Sequence, residues 1–335
     1  MRKNTLSNIV WTFFTFLLCS SSNAEVLYHF TDLGTLPGGS DSYAYSINNA
    51  GQVVGHAYDN TRTAWAVLFD ITGQGNNINL GGLETGGSWA ESINDEGQIV
   101  GAAWSSVTAH DATLFDTSGL ANNTNLVPVG SIDSKATSIN NHGVIVGQIC
   151  FTEPTRYRAA IIDPSGNHVD LGGDYSDAHA INDNRIIVGN STSTPGKWHA
   201  TLFDPTGNGQ NINLNPFGDD LEGYNSDAYD INNNGVVVGV VVRQSAGFNK
   251  TKSVATIFDT TGNGNNIFLA TLSGEQGSGA NAINNKGQIV GTSGGFATIF
   301  DPTGGGQNLN LNEVIEPMPG WILITARDIN DNGWI

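Results

Sequence analysis

The stretch Ser-Ile-Asn-Asn-Ala-Gly-Gln-Val-Val-Gly at residues 46–55 decides the fold, because variants of it recur along the chain. Each variant has an Ile-Asn pair, a turn that usually ends in Gly, and a run rich in β-branched residues. The seven Asn residues of these pairs are Asn48, Asn94, Asn140, Asn182, Asn232, Asn284 and Asn330. They are 46, 46, 42, 50, 52 and 46 residues apart. A period of about 40–50 residues is typical of four-stranded β-propeller blades.

Each repeat unit divides into four short strands. The first ends in Ala-x-x-Ile-Asn, and its Ala is present in all seven copies, as expected where inner strands crowd around an axis. Asn and Asp start turns through hydrogen bonds from side chain to backbone, and Gly accepts the left-handed backbone of a hairpin. Arg185 replaces this Gly in the fourth copy, so that turn is expected to be strained or differently shaped. Runs such as Gln-Val-Val-Gly, Ala-Thr-Leu-Phe-Asp and Asn-Ile-Asn-Leu supply the other strands.

The pattern predicts an all-β fold, a β-propeller of six to seven four-stranded blades. A single unit cannot bury both its faces, whereas circular stacking buries them and protects the sheet edges. An open β-solenoid is the alternative geometry. The seventh unit stops at Gly333-Trp334-Ile335, inside its second strand, so the last blade is either incomplete or cut short. Residues 27–33 resemble a lone fourth strand that could contribute to this blade from the other end of the chain.

The N-terminus has the features of an export signal. Arg2 and Lys3 precede an apolar run at residues 9–18, and Ser22-Asn23-Ala24 fits a signal-peptidase site. We therefore predict a signal peptide at residues 1–24 and a single propeller-like repeat domain at residues 25–335. The apolar run is shorter than the roughly 20 residues of a membrane span. No membrane span is expected after cleavage, and the mature protein is expected to be secreted, extracellular or periplasmic.

Charge and cysteine content narrow the partners. The chain has 31 acidic and 13 basic residues, and losing Arg2 and Lys3 with the leader lowers its net charge from −18 to −20. Such a charge disfavours nucleic acid and anionic lipid as partners. Only Cys150 follows the leader, so no intrachain disulfide is expected. We interpret Cys150 as a small apolar residue at a strand end rather than a nucleophile.

Asp-Leu-Gly-Thr-Leu-Pro-Gly-Gly at residues 32–39, followed by the motif at residues 46–55, resembles the HAF-repeat family of extracellular bacterial proteins. The resemblance covers essentially the whole mature chain. It departs at the His-Ala-Phe element itself, because only His199-Ala200 keeps the first two residues and Thr201 replaces the Phe. The resemblance implies secretion from a bacterium and a propeller-like fold. It implies no activity and no catalytic residues.

Two local patterns suggest chemistry but have simpler structural explanations. Gly-Thr-Ser-Gly-Gly at residues 291–295 matches the G-x-S-x-G nucleophile pattern, which requires a strand followed by a helix. Here the Ser is predicted to lie in a hairpin between two strands. The turns that begin at Asp70, Asp204, Asp259 and Asp301 carry the hard oxygen donors that Ca²⁺ prefers. Each has one carboxylate, so we expect no cofactor, with Ca²⁺ as a hypothesis and turn capping as the alternative.

The best candidate site comes from residues that flank the repeated Ala and differ between copies. In a propeller these positions converge near one mouth of the central channel, where aromatic and polar groups in a concavity form a ligand site. The alternative is that they simply face water. The predicted ligand-binding residues are Tyr43, Tyr45, Trp89, Glu91, Lys135, Asp177, His179, Asp227, Tyr229 and Arg327.

Two functional classes follow. The first hypothesis is a secreted, non-enzymatic binding or scaffold protein that presents a propeller face to a glycan, a peptide or a surface partner. The alternative is a hydrolase or lyase that acts on extracellular polysaccharide at the channel mouth. It predicts that titratable residues cluster there, with Glu91, Asp177, His179 and Asp227 the first to test. No recognisable catalytic constellation is present, which favours the first hypothesis.

Overall fold

The computed structural model describes most of the chain after its N-terminus. The described ranges are residues 28–84, 86–105, 109–127, 130–152, 155–165, 167–173, 175–194, 197–214, 224–244, 251–272, 277–316 and 319–335. The predicted signal peptide at residues 1–24 lies outside them. Within them, no helix is long and apolar enough to cross a membrane.

The fold is a ring of six four-stranded antiparallel sheets, in which consecutive strands pair in chain order. This confirms the predicted all-β propeller. The first three sheets contain β1 (Ser42–Ile47), β2 (Val53–Tyr58), β3 (Ala64–Phe69), β4 (Ile78–Gly81), β5 (Ser88–Ile93), β6 (Ile99–Trp104), β7 (His110–Phe115), β8 (Thr124–Asn125), β9 (Ser131–Ile139), β10 (Ile145–Thr152), β11 (Thr155–Ile162) and β12 (His168–Asp170). The next three contain β13 (Ser176–Ile181), β14 (Ile187–Thr194), β15 (Lys197–Phe203), β16 (Ile212–Asn213), β17 (Tyr224–Ile231), β18 (Val237–Gln244), β19 (Thr251–Phe258), β20 (Ile267–Phe268), β21 (Ser278–Ile283), β22 (Ile289–Ser293), β23 (Phe296–Phe300) and β24 (Leu309–Asn310). A four-residue helix, α1 (Leu311–Val314), follows.

The core is divided into seven hydrophobic clusters, which lie between neighbouring elements of the ring. One cluster, for example, joins Val54 and Leu80 of the first sheet to Ile99 and Phe115 of the second. The repeated Ala of the inner strand is buried in all seven copies. Each sheet therefore buries both its faces by packing between two neighbours, as the repeat pattern predicts.

The ring closes through the side chains of the repeated Asn residues. Each Asn Oδ1 accepts a hydrogen bond from the backbone N–H four residues later, at 2.8–3.0 Å, and so shapes its own turn. Each Nδ2 donates to the backbone carbonyl of the next copy's Asn, at 2.9–3.0 Å. The last of these bonds runs from Asn330 to Asn48, which excludes an open solenoid.

The seventh position of the ring is occupied by residues 323–335, which we call the closing segment. Trp334 packs against the core of the first sheet, while Leu323 accepts a backbone hydrogen bond from Ala297 of the sixth. Tyr28 forms one parallel bridge with Ile315 instead of the predicted strand. Leu33 nevertheless accepts a hydrogen bond from the Asn77 side chain at 2.9 Å, as Leu80 does from Asn123 in the next sheet.

The turn of the fourth copy keeps the shape of the others despite its substitution. Arg185 has a φ of +62°, in the left-handed region where Gly51 and Gly97 have 81° and 78°. A non-glycine residue pays a conformational cost in this region. The expectation of a strained turn at Arg185 is therefore supported by its backbone angle.

Candidate functional site

A β-bulge in the inner strand of every sheet determines which side chains face the channel. The antiparallel pairing of the first two strands skips one residue, the one after the repeated Ala. A bulged residue leaves the ladder and its side chain is redirected. The skipped residues are Tyr45, Glu91, Thr137, His179, Tyr229 and Asn281.

The repeated Gly of the second strand makes the bulge sterically possible. A Cβ placed on Gly55 would lie 1.9 Å from the carbonyl oxygen of Tyr43, and one on Gly189 would lie 2.0 Å from that of Asp177. Any side chain at this position would therefore push the inner strand away. The Gly that ends the Val-Val-Gly run therefore allows the bulge, and the bulge turns one side chain of the inner strand toward the channel.

The bulged side chains surround a cavity of about 490 Å³ at the wide mouth of the channel. This volume lies within the range of about 300–1,000 Å³ that is typical of ligand pockets. Its lining residues are Tyr45, Glu91, Lys135, Thr137, His179, Tyr229, Asn281, Thr292, Thr325 and Arg327. Six of the ten predicted site residues are among them.

Two ion pairs cross between neighbouring sheets in this cavity. Lys135 Nζ lies 2.8 Å from Glu91 Oε1, and His179 Nε2 lies 3.1 Å from Asp227 Oδ1. Burial alone would lower the pKa of His179, but the charge and hydrogen bond of Asp227 outweigh it and raise that pKa to about 9. The raised pKa favours the protonated ring, and Asn190 Nδ2 lies 3.0 Å from the same Nε2. Burial raises the pKa of Asp177, which is close enough to interact with both ion pairs.

Asp177 and Asp227 are not part of the described lining, although Asp227 contacts the His179 ring. Tyr43 and Trp89 contact side chains of their own sheets. Tyr43 stacks on His56 with ring centroids 4.8 Å apart, and burial lowers the pKa of that histidine to about 4. Trp89 contacts His110 edge-on at 5.0 Å. The site prediction therefore combined residues of the lining with residues one layer away from it.

The tyrosines of the lining keep phenolic protons that a ligand could accept. Burial raises the pKa of Tyr45 and of Tyr229 to about 12, so both phenols keep their protons at neutral pH. The ring of Tyr45 lies beneath the guanidinium of Arg327, 5.0 Å from its centroid. On the same wall, Asn281 Nδ2 donates to Thr325 Oγ1 at 3.1 Å.

A second, smaller cavity of about 180 Å³ is lined by the repeated Ile-Asn pairs, and we call the ring of repeated Ile residues the neck. In three copies the N–H donates to a serine of the preceding sheet: Ile93 to Ser46, Ile139 to Ser92 and Ile181 to Ser138, at 3.3–3.5 Å. Buried N–H groups need such partners, since an unpaired one is costly.

Ala180 and Ala282 occupy the serine position in two copies, so they offer no acceptor to the N–H groups of the next sheet. Two aspartates supply the missing acceptors. Asp230 accepts from its neighbour Ile231 at 2.7 Å and from Ile283 of the next sheet at 2.8 Å. Asp328 does the same for Ile329 and for Ile47, both at 2.8 Å. The seven N–H groups are thus satisfied by three serines and two carboxylates.

These neck residues were not predicted, because the signal is distributed over copies that are far apart in sequence. Asp230 occurs in the copy that follows Ala180, and Asp328 in the copy that follows Ala282. Burial, and then the charge of Asp328, raises the pKa of Asp230 to about 7. The two acids therefore share a region of low polarity. Burial raises the pKa of Asp328 as well.

The other local patterns have structural roles in the described residues. Ser293 is the last residue of β22, and its Oγ accepts from Leu272 N–H at 2.9 Å, within a β-hairpin as predicted. In the turn at Asp70 the carboxylate accepts from the Thr72 hydroxyl at 2.6 Å. The turn at Asp259 has the same bond to Thr261, also at 2.6 Å. Calcium binding there stays a prediction.

Comparisons with known proteins give limited matches. A family described as "Protein of unknown function (DUF3466)" matches residues 208–298, less than a third of the chain. No curated protein matches. Among solved structures, TolB from Acinetobacter baumannii is 13% identical with a TM-score of 0.47, and the match covers 82% of this chain and 65% of TolB. The chain therefore matches slightly less than two thirds of the length of TolB. At this level of similarity, nothing about the function of this chain follows from TolB.

Proposed function

We propose that this protein is a secreted, non-enzymatic binding or scaffold protein that takes an extracellular ligand into the wide cavity of its channel. The observation that supports this most is the convergence of bulged residues from all six sheets on one cavity of about 490 Å³. The leader pattern at residues 1–24 supports secretion. The repeat signatures support a place for the chain in the HAF-repeat family.

The contrast between repeated and varied positions supports a binding role. The Ala, Ile and Asn of the inner strand repeat in every copy and build the ring. The position after the Ala holds Tyr, Glu, Thr, His, Tyr, Asn and Arg in the seven copies, which are all polar or aromatic and none aliphatic. A scaffold of this kind holds diverse side chains rigidly, which lowers the entropic cost of binding a ligand.

We expect Tyr229→Ala to weaken ligand binding at least about tenfold, because it removes a half-buried aromatic group from the cavity wall. The ligand is first found by screening the purified protein on glycan and peptide arrays, and its affinity is then measured by calorimetry. Tyr175→Ala is the matched control, since Tyr175 is 45% exposed and does not line the cavity. Equal affinity of both variants and the unmodified protein would remove the proposed binding site.

The second candidate function, a polysaccharide hydrolase or lyase, is favoured by one specific arrangement. Glu91, Asp177, His179 and Asp227 are brought together, as that hypothesis required. The raised pKa of His179 favours its protonated form beside Asp227, so this residue suits the role of an acid better than that of a base.

Incubation with neutral and acidic polysaccharides separates the two functions. The binding proposal expects no new reducing ends and no unsaturated products above those of a no-protein control. Under the enzymatic alternative, products form in the unmodified protein and His179→Gln lowers the rate about a hundredfold or more, since acid–base groups contribute roughly that much. Product formation that requires His179 would replace the binding proposal.

A further inference from the structure

Arg327 is a cation of the cavity lining in a strongly acidic protein. It belongs to the closing segment and lines the wide cavity. Among the residues that the structure describes, no carboxylate lies within ion-pair distance of its guanidinium, although the chain has 31 acidic residues and only 13 Lys and Arg. Its guanidinium lies over the Tyr45 ring, 5.0 Å from the centroid, and its charge also acts on His56. The guanidinium is thus held in place but not neutralised.

The other cations of the lining are balanced. Lys135 pairs with Glu91 at 2.8 Å, and His179 pairs with Asp227 at 3.1 Å. Among the residues that the structure describes, Glu91 is the only acidic one that lines the cavity directly, and Lys135 neutralises it. The wall at Arg327 therefore carries the one positive charge of the described lining that no neighbouring carboxylate cancels. A guanidinium on an aromatic ring presents its planar donors to a carboxylate in two parallel hydrogen bonds.

The rest of the lining favours a sugar over a peptide. The described lining has hydroxyl, amide and aromatic groups and contains no aliphatic side chain. Peptide ligands gain much of their affinity by burying apolar side chains, and for these the described lining offers two tyrosine rings set among polar and charged groups. Beside Arg327, Thr325 accepts from Thr292 Oγ1 at 2.7 Å, so the neighbouring wall is a preformed set of hydroxyl groups.

We propose that the wide cavity binds an acidic oligosaccharide, with the carboxylate of a uronic acid residue on Arg327 and sugar hydroxyls on the surrounding Thr, Asn and Tyr groups. This inference rests on the proposed function and names its ligand class. The cavity and the smaller one at the neck have no lining residue in common, so the ligand site is the wide cavity alone.

The test compares three probes by calorimetry: a galacturonate trimer, a galactose trimer and a tri-aspartate peptide. We expect the galacturonate trimer to bind at least about tenfold more tightly than the other two. Arg327→Gln is expected to weaken its binding about tenfold to a hundredfold, as for the loss of a charged hydrogen bond, and to leave the galactose trimer unchanged. Arg327→Lys should recover only part of the affinity, since it keeps the charge but loses the planar pair of donors.

Arg62→Gln is the matched control, because it removes the same charge from an exposed residue outside the cavity. It should bind the galacturonate trimer like the unmodified protein. If the galactose trimer binds as tightly and still depends on Tyr229, the acidic-sugar inference is wrong while the proposed function stands. Tighter binding of the peptide, no effect of Arg327→Gln, or no binding of any probe would each overturn the inference.

Discussion

Asn182→Asp is expected to lower the free energy of unfolding by about 3–5 kcal/mol, the cost of a lost buried hydrogen bond together with an unpaired buried charge. Asn182 is buried, and its Nδ2 donates to the backbone carbonyl of Asn232 at 2.9 Å. The substitution keeps the size of the side chain but places a carboxylate oxygen against that carbonyl. Its Oδ1 could still accept from Ile186 N–H, so the local turn survives while the bond between copies is lost. Urea denaturation followed by circular dichroism measures the change.

The protonation state of the new carboxyl separates this cause from a general loss of packing. A protonated carboxyl can donate to the Asn232 carbonyl, so the difference from the unmodified protein should shrink when both are compared at pH 4 instead of pH 8. Asn60→Asp makes the same chemical change at an exposed position and should alter stability by less than about 0.5 kcal/mol. A difference that does not depend on pH would show that the Asn232 carbonyl is not the partner that matters.

Asp230→Ala is expected to cost roughly 2–5 kcal/mol, because it leaves two N–H groups of the neck without an acceptor at about 1–3 kcal/mol each. The two donors are Ile231 and Ile283, at 2.7 and 2.8 Å from the carboxylate. The loss should be read from the same denaturation experiment. A cost below about 0.5 kcal/mol would mean that channel water replaces the carboxylate, and the neck would then contribute little to stability.

The serine-containing copies supply a rescue for this variant. Asp230→Ser restores an acceptor for Ile283, as Ser46 provides for Ile93, but leaves Ile231 unpaired. Adding Ala180→Ser supplies that second acceptor from the preceding sheet. The double variant should therefore recover most of the stability lost in Asp230→Ala. It should also be more stable than the sum of the changes in unfolding free energy of the two single serine variants predicts. Simple additivity of the two changes would contradict the proposed hydrogen bonds.

The same double variant should also change how stability depends on pH. The pKa of Asp230 rises from 3.8 to about 7 in the folded protein, so the folded state holds a proton that the unfolded chain releases. The free energy of unfolding therefore falls as pH rises from about 4 to about 7, and this contribution is fully present only below pH 4. In the double variant the contribution of Asp230 to this fall of the unfolding free energy with pH is lost, while the contribution of Asp328 remains.

Much of the fold could be predicted because its determinants are local and repeated. The Ala, Ile, Asn and Gly of each copy specify one strand, one turn and one bulge, and a period of 42–52 residues specifies the size of the sheet. The prediction of a channel site followed from the same repeat. The sequence does not reveal the register of the strand pairing around the Ala. It therefore groups Tyr43 and Trp89, which precede the Ala, with Tyr45 and Glu91, which follow it.

The missing information was the bulge. In an unbroken strand, neighbouring side chains point to opposite faces, and the sequence does not indicate which face lines the channel. The Gly that opposes the Ala was visible in every complete copy, yet its meaning required the 1.9–2.1 Å approach of a backbone carbonyl. That Gly marks the bulge, and the bulge adds Asn281 and Thr137 to the cavity lining.

The sequence by itself determined the all-β repeat, the turns with their left-handed glycines and the presence of a polar, varied position in each copy. Only the tertiary structure decided that Asn330 bonds to Asn48, that Asp230 accepts from an N–H of the following sheet, and that the Arg327 guanidinium lies over the Tyr45 ring. The physical reason is distance along the chain. Local backbone preferences are encoded within a few residues, whereas these contacts join residues 53 to 282 positions apart, and they exist only after the ring has closed.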